Sequence, residues 1–176
     1  MLIISSALIS LTYKKEIKQL ILQKANEKLT AQFSFDDLSI GIIRHFPSLS
    51  IDMEGMCVVG KNAFNADTLA KIKNTNVQIN LLSFLLHKTI EIQSVSVDQP
   101  TIHLKVLKNG LSNWDIVAID SNSKKNTNEN KLKIALKKYT LHEATITYDD
   151  ALRGVEFELR NVYHQGSGDF TKDIFT

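Results

Sequence analysis

The stretch Thr89–Trp114, TIEIQSVSVDQPTIHLKVLKNGLSNW, constrains the fold more than any other part of the sequence. Its apolar residues Ile90, Ile92, Val95, Val97, Ile102, Leu104 and Val106 recur every second position, with a one-residue slip between Ile92 and Val95 and another break around Pro100. Period two marks a strand with one apolar and one wetted face. A slip sends every later side chain to the opposite face, so a chain that keeps one face apolar through a slip needs a bulge there. The pattern predicts a long, bent ribbon.

The same spacing returns 44 residues later, where Ile134, Leu136, Tyr139, Leu141, Ala144, Ile146 and Tyr148 stand at the offsets of Ile90, Ile92, Val95, Val97, Pro100, Ile102 and Leu104. Repetition at a fixed period points to stacked units; two amphipathic strands with a similar bulge are the plainer alternative. Shorter runs read alike. Phe33 and Phe35 alternate, slip across Asp36-Asp37 and resume at Leu38, Ile40 and Ile42, while Leu49, Ile51 and Met53 slip at Gly55 and resume at Met56 and Val58. A strand through Val77, Ile79 and Leu81 follows a polar loop at Lys61–Asp67, and Val155, Phe157 and Leu159 alternate once more. This last run has no closing partner, which predicts that the β-structure continues in a longer protein. Leu81–Leu86 is apolar around most of its circumference and predicts a short buried or lipid-facing helix, or a plain core turn. Asn109-Gly110 predicts a tight turn through two residues that tolerate positive φ, and 120–130, without one apolar residue, a flexible loop.

Residues Leu2, Ile3, Ile4, Leu8, Ile9 and Leu11 make the first dozen positions almost wholly apolar, with Tyr13, Lys14 and Lys15 directly behind them. This predicts the end of a membrane anchor over 1–12 with interfacial Tyr and Lys; a buried helix is the alternative. Twelve helical residues reach roughly 18 Å against a hydrocarbon core of roughly 30 Å, so the run cannot span a bilayer alone. From Tyr13 the apolar positions Ile17, Leu20, Ile21, Ala25 and Leu29 recur at three and four and predict an amphipathic helix over 13–30. By the positive-inside rule Lys14, Lys15 and Lys18 would hold the body in the cytosol unless upstream residues outweigh them.

Chemistry is conspicuous by what is missing. The chain has 176 residues, 43% of them hydrophobic, and a net charge of +2, which fits a folded protein and gives no reason to expect a nucleic-acid partner. His45, His87, His103, His142 and His164 lack metal-ligand spacing, and no phosphate loop, GxSxG elbow or HExxH helix occurs. Asp36-Asp37 and Asp149-Asp150 are adjacent pairs on strands whose side chains point to opposite faces, better suited to turns or bulges than to proton sharing. Cys57 reads as a small core residue and Trp114 as a packing anchor. No catalytic, metal or cofactor site is predicted.

Phe46-Pro47-Ser48-Leu49, Phe64, Asp67-Thr68-Leu69-Ala70, Leu81–Leu86, Val97-Asp98-Gln99-Pro100-Thr101-Ile102-His103-Leu104, Asn109-Gly110 and Asn113-Trp114-Asp115-Ile116, in this order, resemble the N-terminal region of AsmA-like envelope proteins. The resemblance covers about residues 30 to 118. Taken with the strand pattern, it implies a mainly β fold with an N-terminal helix, in which 31–176 form a curved antiparallel sheet, with a unit of about 44 residues, curling into an open groove as in the wider group of β-groove bridge proteins. It implies an inner-membrane anchor, a periplasmic body and non-enzymatic carriage of phospholipid between the inner and outer membranes, with acyl chains on the groove floor. Ile102, Leu104, Val106, Ile146 and Tyr148 are the groove candidates. An envelope scaffold that binds proteins through its sheet edges is the alternative reading, and an enzyme whose site lies in a missing C-terminal part is a third.

Overall fold

The computed structural model describes residues 2–42, 48–80, 82–83, 86, 89–117 and 133–168. One helix, α1 (Leu2–Lys28), precedes eight strands: β1 (Gln32–Ser34), β2 (Asp37–Ile42), β3 (Ser48–Val59), β4 (Thr68–Asn80), β5 (Thr89–Val106), β6 (Lys133–Leu136), β7 (Lys138–Asp150) and β8 (Val155–Ser167). All eight belong to one open sheet of order β1-β3-β4-β5-β7-β8, in which β2 continues the line of β1 along β3 and β6 precedes β7 along β5. The chain is thus mainly β with an N-terminal helix, and the sheet is not closed.

The sheet is mixed, which corrects the all-antiparallel expectation. β5 runs parallel to both β6 and β7, whereas the other neighbours are antiparallel. Periodicity fixes which face a side chain takes and leaves strand direction open; the direction here follows from connection length. A tight hairpin enforces antiparallel pairing, but a parallel partner requires a crossover of a dozen residues or more, and 107–132 supplies one. Part of it, including the predicted loop 120–130, lies outside the described residues, as do His45, His87, Phe46-Pro47 and the tail beyond Gly168. The parallel register holds an offset of 44 throughout, with Ile90 beside Ile134, Val97 beside Leu141 and Ile102 beside Ile146. Among the described residues that offset occurs in this one pairing.

The slips read at Asp36-Asp37, Gly55 and Pro100 align into a crease across the sheet, while the slip between Ile92 and Val95 lies apart from it, where the pairing of β4 with β5 shifts between Gln78 and Ile79. The apolar face advances by three residues instead of two from Phe35 to Leu38, Met53 to Met56, Ile72 to Thr75, Val97 to Pro100 and Leu141 to Ala144, and these steps are neighbours in register. On β8 the step falls one row over, from Leu159 to Val162, and pairing with β7 shifts there. Four residues along this line take positive φ: Gly55 (63°), Gln99 (48°), Glu143 (51°) and Asn161 (52°). Glycine suits position 55, since it takes positive φ without strain and an added Cβ would displace the Asp36 side chain, whose carboxylate oxygen would lie 2.0 Å away. Gln99 and Glu143 bear the ordinary left-handed strain of about 1–2 kcal/mol, and side chains brace them. Lys73 Nζ donates to Gln99 Oε1 (2.9 Å), Gln99 Nε2 to Glu143 Oε2 (2.7 Å) and the Tyr163 hydroxyl to Glu143 Oε1 (3.2 Å). The hydrogen bonds from Gln99 and Tyr163 hold the Glu143 carboxyl below its usual range.

α1 is continuous from Leu2 to Lys28, so the predicted boundary between an anchor at 1–12 and a helix at 13–30 is no break in structure. The helix packs along β1 and β2. Asn26 imitates a strand residue, donating to the Phe33 carbonyl (2.8 Å) and accepting from its N–H (2.9 Å). Lys14 pairs with Asp37 at 2.7 Å, and Lys18 donates to the Asp36 carbonyl with its ammonium 5.2 Å from the Phe35 ring centroid. Beneath the helix Ala31, Phe35 and Leu38 are buried. Ile17, Ile21 and Ala25 are half-buried as the periodicity predicts, but Leu20 is exposed.

Candidate apolar face and its comparison with known proteins

The apolar face is built by register. Side chains at directly paired positions point to the same side of a sheet, and one row of such pairs crosses every track: Phe33, Val58, Ala70, Ile102, Ile146, Leu159. The next row carries Leu104, Tyr148 and Phe157, and across the crease Ile40, Ile51, Val77, Val95 and Tyr139 form another. Four of the five groove candidates, Ile102, Leu104, Ile146 and Tyr148, are therefore side by side on the neighbouring strands β5 and β7 and half-buried. Val106 stands beside Asp150 and is buried, at the closed end of the strand. Among the described residues Ala31, Phe35, Leu38, Leu69, Pro100, Val106 and Ala144 are buried, whereas Phe157 and Leu159 are each 47% exposed.

Aromatic residues cluster at one end of this face. The Tyr148 ring stacks on Phe157 at 5.2 Å and meets Trp114 at 6.2 Å, so the tryptophan packs, as read from the sequence, while remaining 42% exposed. The Tyr148 hydroxyl donates to Asp150 (3.0 Å), which raises the tyrosine's pKa. Asp150 also accepts from the N–H groups of Leu152 and Arg153 and from the Arg153 guanidinium at 2.8 Å, and that guanidinium lowers its pKa. Asp150 thus serves the turn, while Asp149 stands in the ladder opposite Glu156. In the turn after β5, Gly110 alone takes positive φ, and its N–H donates to the Leu107 carbonyl (2.8 Å); Asn109 keeps negative φ, against expectation.

The opposite face is polar and carries the crease bracing. Each three-residue step leaves two successive residues on that side, such as Asp98-Gln99 and His142-Glu143, so the polar path is the longer one and the sheet bends towards its apolar face. His142 Nδ1 lies 3.0 Å from Asp98, and its ring meets Tyr163 edge-on at 4.8 Å. Three shallow depressions lie on this side among the described residues; the largest of them, 540 Å³ around Gly55 and Lys73, and a second around Lys105 mix charges, and the third carries only the carboxylates Asp52, Glu54 and Asp98. Among the described residues no group of His, Cys, Asp and Glu could hold a metal ion. Cys57 lies half-buried between the apolar positions Met56 and Val58 and so belongs to the polar face, not the core.

Sequence reading missed Val58, Ala70, Phe157 and Leu159 as members of the rows through Ile102 and Leu104. The alternation at 155–159 is visible in the sequence, but only pairing with β7 shows which row it extends. The candidate anchor residues Leu2, Ile3, Ile4, Leu8, Ile9 and Leu11 all fall in the first half of α1, and among the described residues no helix is long and apolar enough to cross a membrane. Leu82 and Leu86, within the predicted apolar helix at 81–86, are helical and exposed, not buried.

The described residues form a single open, mixed sheet with a helix along one edge and an apolar face that is largely uncovered at the β8 end. The chain belongs to the AsmA family, whose model matches residues 1–171, and membership associates it with the cell envelope. No curated protein and no solved structure matches it.

Proposed function

We propose that the protein is a non-enzymatic, membrane-anchored carrier that holds phospholipid acyl chains on this apolar face and passes them between the inner and outer membranes, its body in the periplasm. The observation that carries the reading is the row from Phe33 to Leu159, apolar at every strand and uncovered over its second half. Six strand tracks at about 4.8 Å make it roughly 24 Å wide, longer than the roughly 15 Å of hydrocarbon in one leaflet. The bend towards this face shelters a chain lying along the rows, and the polar face keeps the headgroup side wetted. No step requires a nucleophile, metal or cofactor.

The test replaces Ile102 or Ile146 with Asp, with His103→Asp on the polar face as control. A charge there meets hydrocarbon at a cost of several kcal/mol. Loss of copurifying phospholipid in the first two variants, with the control unchanged and all three folded by circular dichroism, is the expected outcome; retained lipid overturns the reading. The outer edge of β8, which pairs with no other strand among the described residues and whose residues are exposed along nearly its whole length, favours a second reading, a scaffold that recruits protein strands. A stoichiometric protein partner without lipid would establish that one.

A further inference from the structure

We infer that the end of the sheet formed by the last residues of β2 and β4 and the first of β3, β5 and β6 rests on a lipid bilayer, with Leu82 and Leu86 entering the boundary between headgroups and acyl chains. The inference rests on the membrane-anchor part of the proposal above.

Register brings these strand ends together, since Ile42 pairs with Leu49, Ser48 with Asn80 and Thr89 with Lys133. Here a helical turn is held in place from the sheet. Asn80 Oδ1 accepts from the N–H groups of Leu82 (3.0 Å) and Ser83 (3.4 Å), and Ser83 Oγ donates to Glu91 (2.9 Å), which also pairs with Lys137. Leu82 and Leu86, both helical, are 40% and 70% exposed at this end. Holding leucines out in water has no benefit to the fold.

The helix gives the occupant. Along α1, Lys14 meets Asp37, Lys18 meets Asp36 and Asn26 meets Phe33, so α1 runs antiparallel to β1 and β2 and its apolar start points towards Ile42. Twelve residues of helix from Lys14 back to Leu2 cover about 18 Å, and five of strand from Asp37 to Ile42 about 17 Å. The apolar start of the helix and the leucine turn therefore reach the same level. Two apolar features ending at one level fit a flat hydrocarbon boundary better than a protein pocket. Leu111, Trp114 and Leu152 make the far end apolar too, but α1 starts away from them.

The experiment uses the whole chain in a Cys57→Ser background, with an environment-sensitive NBD label at Leu86→Cys or Leu152→Cys and vesicles of phosphatidylethanolamine and phosphatidylglycerol. Trp114, the one tryptophan of the sequence, reports on the far end without a label. The label at 86 should shift to the blue and be quenched by brominated acyl chains while Trp114 and the label at 152 stay unchanged. Leu86→Asp should weaken vesicle binding about tenfold. A label at 86 that stays in water while the chain still binds vesicles overturns the inference and leaves the anchor standing. Insertion of Trp114 or the label at 152, or no vesicle binding at all, also overturns it. Carriage on the apolar face is judged separately, by the lipid that copurifies with the Ile102 and Ile146 variants.

Discussion

The two ends of the strand order carry the same kind of apolar face and treat it differently. Beside β1 and β2 the helix covers the face, and Ala31 and Leu38 have no exposed surface at all. Beside β7 and β8 nothing among the described residues covers it, and Phe157, Leu159 and Val155 stay nearly half-exposed. An apolar stripe therefore does not define a core until something lies on it. The first end is fixed by packing, and the second is held in shape by backbone pairing and by the braced crease.

The largest expected effect sets one end against the other. Leu38→Ala should cost about 2–5 kcal/mol, the range for emptying a closed core site, while Ile146→Ala on the half-exposed face should cost about 1–2 kcal/mol, since roughly half of the buried area is at stake. Urea unfolding of both variants measures this; equal losses would mean that the second end is packed as tightly as the first. Next comes the crease. Gly55→Ala adds a Cβ against Asp36 at positive φ and should cost about 2 kcal/mol, whereas Gln99→Gly should leave stability within about 1 kcal/mol, because relieved strain offsets the lost hydrogen bonds. A large loss from Gln99→Gly would show that bracing, not strain, governs the crease. Asn26→Ala should cost about 1–2 kcal/mol by orphaning the Phe33 backbone and should raise the binding of a hydrophobic dye as the helix loosens; unchanged dye binding would mean that the helix is held by other contacts.

The smallest effect concerns pH at the open end. Asp150 has a folded-state pKa lowered from 3.8 by the Arg153 guanidinium, so its contribution is present above about pH 4 and is lost as pH falls through the depressed value. Thermal unfolding midpoints should therefore drop on acidification in that range, and Asp150→Asn should reduce the drop. An identical acid profile in the variant would assign the effect to other carboxylates.

Much of this was legible in the sequence because alternation is a local property. Period two named the apolar face, each slip named a bulge, and the offset of 44 between Ile102 and Ile146 is the register in which they stand side by side. The charged pairs marked a bulge at Asp36-Asp37 and a turn at Asp150, since adjacent carboxylates have no common face to share. What local pattern could not carry is the identity and direction of a neighbour. That β5 and β7 run parallel depends on a crossover returning to the start of the sheet, and that Gly55, Gln99 and Glu143 fall on one line depends on four strands keeping register. That α1 covers Leu38 and leaves Phe157 bare depends on where a helix docks. Hydrophobic burial is proportional to area and blind to sequence distance, so only the assembled sheet decided which apolar residues became core and which remained a surface.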